Sequence, residues 1–221
     1  FFKYRSRKMT ERQKDILIGS VLGDGSIYKH DCDSVRSCRF NEAHSIDQKE
    51  YIEWKYNELK DFIHNPMRTR YKGGKTMMIC GRECRVQEQY WFETVFHEEF
   101  YHLRQTFYPR HIKVIPKDVP IQPLALAVFY MDDGNYSGSS CKFCTQSFDD
   151  ISLQNFVNYM NKRYKIDCSI SKPHSKKCKT NGKEILINKA NSEKLIDVIK
   201  PYILPIFNYK IGSVEKAKKL A

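Results

Sequence analysis

Two short segments of the chain are apolar without interruption and stop abruptly at Asp-Gly. The first is Ile16-Leu-Ile-Gly-Ser-Val-Leu-Gly-Asp-Gly25; the second is Leu124-Ala-Leu-Ala-Val-Phe-Tyr-Met-Asp-Asp-Gly134. Each reads as a buried helix. Thr10-Glu-Arg-Gln13 is a capping-box pattern ahead of the first, and Pro120 and Pro123 stand where a second helix would start. The stretches after the two segments repeat as well. Arg39-Phe40 recurs as Lys142-Phe143, and apolar positions at helical spacing, among them Tyr51, Trp54, Leu59 and Phe62, predict a helix over 48–62 that parallels one over 150–164.

A hairpin is expected next in each half. Gly73-Gly74 separates Arg68-Thr-Arg-Tyr-Lys72 from Lys75-Thr-Met-Met-Ile79, and Asn181-Gly182 precedes Glu184-Ile-Leu-Ile187. Further helices are predicted over 87–104 and 192–199, then a segment joining apolar residues, proline and lysine: His111-Ile-Lys-Val-Ile-Pro116 and Leu204-Pro-Ile-Phe-Asn-Tyr-Lys210. The order per repeat is helix, two strands, helix, two strands, helix. The fold class is therefore α+β, with two pseudo-twofold-related αββαββα repeats. Residues 1–9 read as an N-terminal extension, 10–116 as the first repeat and 117–221 as the second.

Composition narrows the partner. The 221 residues carry 38 Lys+Arg against 26 Asp+Glu, a net charge of +12. Residues 151–221 hold 15 basic against 5 acidic side chains; the rest hold 23 against 21. Such an excess suits a polyanion, nucleic acid before an anionic membrane. No apolar run approaches the roughly 18 residues of a membrane span and no apolar signal core follows the basic N-terminus, so an intracellular protein is expected, in an organelle or a prokaryotic cytoplasm. The 8 cysteines are expected as buried thiols rather than a disulfide framework. Zinc pairings among Cys80, Cys84, Cys141, Cys144, His174 and Cys178 are weaker, because Cys141 and Cys144, three apart on a strand, face opposite sides.

The two apolar nonapeptides resemble the paired motifs of a single-chain LAGLIDADG homing endonuclease, and the resemblance runs from Thr10 to Lys210. Small residues at Gly19 and Gly23 would let a second helix approach closely. Where the first motif has these glycines the second has Val128 and Asp132, so Ala125 and Ala127 are expected to serve there. Asp24 and Asp133, 109 residues apart, are the matching acidic residues. Carboxylates gathered at helix C-termini repel each other and the helix dipoles, which a divalent cation relieves. Gly23 and Asp132, one position earlier, would border that metal.

The resemblance implies two antiparallel four-stranded sheets that form a DNA-binding saddle, and a monomeric, site-specific endonuclease acting on a long double-stranded DNA target. It implies Mg²⁺ as cofactor, with Mn²⁺ as a substitute and Ca²⁺ supporting binding without efficient cleavage. Lys113 and Lys210 would occupy a solvated basic pocket near the scissile phosphates. Gln146, on the strand after the second motif, would be a polar pocket residue, with His44 its nearest counterpart or else a helix-start residue. Lys29, Arg36, Arg39, Arg68, Arg70, Lys72, Lys75, Lys142, Lys172 and Lys176 are the candidate DNA contacts; Arg68, Arg70 and Lys72 would line one face of one strand. Two alternatives stay open: a maturase binding its own intron RNA, and a DNA-binding regulator without cleavage.

Overall fold

The computed structural model describes residues 7–30, 34–35, 37–79, 82–172 and 182–212. In chain order the elements are α1 (Glu11–Leu22), β1 (Ser26–Lys29), β2 (Cys38–Ser45), α2 (Lys49–Glu58), β3 (Arg68–Arg70), β4 (Lys75–Ile79), β5 (Arg82–Val86), β6 (Gln89–Glu93), α3 (Glu98–Phe107), α4 (Pro123–Asp133), β7 (Gly134–Tyr136), β8 (Cys141–Phe143), α5 (Asp150–Tyr164), β9 (Ser169–Ser171), β10 (Glu184–Ile187) and α6 (Lys189–Ile199). The fold is α+β with two antiparallel four-stranded sheets, ordered β1-β2-β6-β3 and β7-β8-β10-β9. Among the described residues no helix is long and apolar enough to cross a membrane.

The chain divides into two compact units. One holds Asp24–Leu103 with the residues up to Gln13; the other holds Lys14–Gly23 with the residues from Arg104 onward. Most of the first motif helix thus belongs with the second half of the chain.

The helix starts follow their local chemistry. The Gln13 amide donates to Thr10 Oγ1 at 3.2 Å and Gln13 Oε1 accepts from the Thr10 amide at 3.1 Å, a reciprocal capping box. Pro123 opens the first turn of α4 after Gln122. Asp149 caps α5 by accepting from the Ser152 amide at 2.7 Å. Helix α4 is buried along its length from Leu124 to Met131, as its unbroken apolar run requires.

The hairpin expected around Gly73-Gly74 takes another form. Strand β3 ends at Arg70 and pairs with β6, while β4 pairs with β5 in a separate two-stranded ribbon. Tyr71, Gly73 and Gly74 all have positive φ, 52°, 73° and 85°, and the Gly74 amide closes the turn on the Tyr71 carbonyl at 2.6 Å. The chain therefore leaves the sheet at Tyr71, and Lys72 is a turn residue that does not share a strand face with Arg68 and Arg70. The helix predicted over 87–104 is a second correction: β6 occupies its first part, and the helix begins only at Glu98. Gln-Tyr-Trp-Phe-Glu alternates and is aromatic, which favours a strand. In the second repeat β9 and β10 pair; Asn181 lies outside the described residues.

Candidate functional site

In the unit that contains Lys14–Gly23, the glycines of α1 face α4. A β-carbon on Gly19 would stand 2.6 Å from Val128 Cβ and against the Ala125 carbonyl; one on Gly23 would stand 2.5 Å from Asp132 Cβ. The close approach is one-sided. Glycines on α1 receive larger side chains from α4, so Val128 and Asp132 join Ala125 at the contact instead of yielding to small residues, and Ala127 is not among the nearest atoms.

Both late lysines reach the ends of these helices. Lys113 Nζ donates to the Gly23 carbonyl at 2.6 Å. Lys210 Nζ donates to the Met131 carbonyl at 2.6 Å and the Asp132 carbonyl at 3.2 Å. The two repeats thus use one device: an ammonium on the last carbonyls of a motif helix, where the dipole is negative. Lys113 is half-buried, with Phe148 5.6 Å from its ammonium. Lys210 is only 8% exposed, packs over Phe207 at 5.2 Å, and its own carbonyl accepts from the Tyr130 hydroxyl at 2.8 Å. Burial of Lys210 differs from the solvated pocket expected for it.

Asp133 is the last residue of α4 and is half-buried; its carbonyl accepts from the Cys144 amide at 2.8 Å. Asp24 follows Gly23 in the turn after α1, its side chain 47% exposed. Hard carboxylate oxygens with access to water suit a divalent cation such as Mg²⁺, so Asp24 and Asp133 fit such a group by donor type. Gln146 lies in a turn after β8, not on the strand, and a β-carbon on Gly182 would stand 2.6 Å from its Cα.

In the unit containing Asp24–Leu103, His44 Nδ1 lies 3.8 Å from Asp24 Oδ2. The ring is enclosed. Nδ1 is 2.8 Å from Gln48 Oε1, Nε2 is 3.0 Å from Glu42 Oε1, and Tyr51 lies 4.9 Å away, centroid to centroid. Lys55 Nζ donates to the same Glu42 oxygen at 2.5 Å, with both side chains fully buried. Burial alone would raise the Glu42 pKa, but the Lys55 and His44 charges and hydrogen bonds outweigh it and lower the value to about 2. Sequence reasoning alone misses Glu42 and Lys55. Lys55 is detectable, since it sits four residues after Tyr51 on the apolar side of its helix.

Strand register sorts the basic residues. Buried Phe40, Glu42 and His44 define the inner face of the first sheet. The opposite face carries Ser26 and Tyr28, Arg39 and Asn41, Gln89, Trp91 and Glu93, and Arg68 and Arg70. Arg39 pairs with Glu93 at 3.0 Å and its guanidinium lies 5.5 Å from the Tyr28 ring; Arg68 and Arg70 lie 5.3 and 4.9 Å from Trp91. Lys29 is opposite buried Cys38, so it leaves the Arg39 face. In the second sheet the outer face carries Asn135, Lys142, Leu186 and Ser169, with Lys142 3.0 Å from Glu184. Lys75 lies exposed on the ribbon and Lys172 exposed just after β9; Arg36 and Lys176 lie outside the described residues, as do Cys80, His174 and Cys178. Cys84, Cys141, Cys144 and Cys168 form no disulfide.

A profile of the LAGLIDADG DNA endonuclease family matches residues 14–195. The chain is 26% identical to the DNA endonuclease I-ChuI of Chlamydomonas applanata, over 94% of this chain and 98% of that protein. It is also 26% identical to the cytochrome b mRNA maturase bI2 of Saccharomyces cerevisiae, over 90% of this chain but 47% of that protein. Among solved structures, the homing endonuclease I-WcaI bound to its DNA recognition sequence shares the fold, with a TM-score of 0.76 at 23% identity over 94% of this chain and 90% of that one.

Proposed function

The chain belongs to the LAGLIDADG DNA endonuclease family, and we propose that it is a site-specific, divalent-metal-dependent endonuclease that cuts both strands of a long DNA target. The observation that carries this reading is the doubled helix end: Gly23 against Asp132, each carbonyl held by the late lysine of its own repeat, and each followed by an aspartate. Asp24 and Asp133 supply the hard oxygens for metal, with Mg²⁺ the natural occupant and Mn²⁺ a substitute. When bound, the metal would lower the pKa of water and offset charge on the phosphate.

The residues of the chain do the rest. Lys113 and Lys210 hold the helix ends in place and offset carboxylate charge as phosphate approaches. Arg39, Asn41, Gln89, Arg68 and Arg70 form the face that meets DNA; Arg and Gln read base edges, while the remaining cations position phosphates. Both motifs stand in one polypeptide, so the active species is a monomer, working in an organelle or a prokaryotic cytoplasm. Similarity to the maturase supports a second reading, binding of the chain to its own intron RNA, tested by splicing of that intron with and without the protein.

The deciding experiment substitutes Asp24→Asn and Asp133→Asn. Each removes a charge while keeping shape. Folding is expected to persist, and DNA binding in a gel shift to persist or tighten, since a negative charge near phosphate is gone. Plasmid cleavage in Mg²⁺ should collapse, and Ca²⁺ should support binding with little cutting. Full double-strand cleavage by either variant would refute the two-aspartate mechanism.

A further inference from the structure

One buried contact is built differently in the two repeats. In the first sheet Ser26 pairs with Asn41; in the second Asn135 pairs with Lys142. Ser26 and Asn135 both stand two residues after their motif aspartates, which makes Asn41 the counterpart of Lys142, Glu42 of Phe143 and His44 of Thr145. The buried positions of the following helices agree without a gap: Tyr51, Ile52 and Lys55 of α2 against Ser152, Leu153 and Phe156 of α5. Phe143 and Phe156 pack edge to face at 5.3 Å. The first repeat has Glu42 and Lys55 in those places, 2.5 Å apart. The expected match of Arg39-Phe40 with Lys142-Phe143 is therefore off by two residues, and Gln146 corresponds to Ser45.

A buried ion pair is a poor substitute for an aromatic contact on stability grounds, since desolvation offsets the attraction. This one does something the aromatics cannot. One oxygen, Glu42 Oε1, accepts from both Lys55 and His44, while Oε2 has no partner among the described residues. An ionised carboxylate only accepts, so the facing His44 Nε2 must carry a proton. With Nε2 so held, Nδ1 is the nitrogen turned to Gln48 and Asp24.

We propose that Glu42 and Lys55 are positioning residues that fix the orientation of His44 beside Asp24, so that the first repeat handles its strand with an imidazole where the second has Thr145. The strand-specific part rests on the endonuclease reading; the orientation of the ring does not. Outer-sphere partners of this kind are worth about 10- to 100-fold in activity when removed.

The test is the volume-conserving double variant Glu42→Leu/Lys55→Met, which replaces the pair by apolar groups and is expected to fold. Two readouts are taken on it. ¹H–¹⁵N NMR of the His44 ring, assigned with His44→Gln, should show an Nε2 proton protected from exchange with water in the native protein and lost to exchange in the variant; an unchanged ring spectrum overturns the positioning role. Strand-resolved nicking of one target with two end labels should slow about tenfold or more on one strand alone. Nicking of both strands at the native ratio overturns the strand assignment. Should the native protein cut neither strand, the endonuclease reading fails, and the ring spectrum still decides the positioning role.

Discussion

The side chain of Asp132 fills the space that a β-carbon on Gly23 would need, its Cβ 2.5 Å from that place. Gly19 stands the same way to Val128. Alanine at either glycine must push α1 from α4, and overpacking of this kind costs about 1–3 kcal/mol. Urea denaturation of Gly19→Ala and Gly23→Ala should show that loss. Asp132→Gly should recover part of the Gly23→Ala cost and none of the Gly19→Ala cost.

Lys113→Met and Lys210→Met should separate in stability. Lys210 is buried and serves two carbonyls, so its loss leaves buried acceptors unmatched, worth about 1–3 kcal/mol. Lys113 is half-buried and water can replace it, so its removal should cost less. Both variants should slow strand cleavage more than they weaken binding. Unfolding curves alongside single-turnover cleavage check this.

Binding should weaken steeply with salt, log affinity falling with a slope of about −0.9 per phosphate contact. Arg39, Arg68 and Arg70 share the outer face of the first sheet. Where one of them meets phosphate, alanine should reduce the slope by about one; where it reads a base, alanine should relax preference at a target position and leave the slope alone. Lys29, on the inner face, should do neither when changed to Met. Fluorescence titrations over a salt series on a target and scrambled duplex distinguish these outcomes.

Stability should fall in acid for a reason local to Glu42. Its folded pKa is lowered from 4.5 to about 2, so its contribution is fully present above the unfolded value and is lost as pH falls from about 4.5 toward about 2. The melting midpoint of the native protein should drop across that window. Glu42→Leu/Lys55→Met should show a shallower drop.

Repeats and capping signals make the two motif helices and α5 legible in the sequence. They are local, and each is written twice. The β3 exit at Tyr71 is not legible, because a positive φ at tyrosine is decided by where the chain must go next rather than by residue preference. Strand β6 reads as helix, which hides Gln89 and Trp91 from the candidate DNA-facing residues. Asp24 and Asp133 can be named from their position after the motifs. Glu42 cannot, since a glutamate in an alternating strand looks like a solvent residue until Lys55 is found opposite it.

The one-sided fit between α1 and α4 also bears on ancestry and redesign. Two identical copies of the Pro123–Asp133 helix would set Val128 and Asp132 against themselves where Gly19 and Gly23 now make room. A homodimer of the second half alone would therefore meet steric overlap and opposed carboxylates along its twofold axis. Whatever duplication produced the two halves, they have since become a lock and its key, and the first cannot be replaced by a second copy of the second.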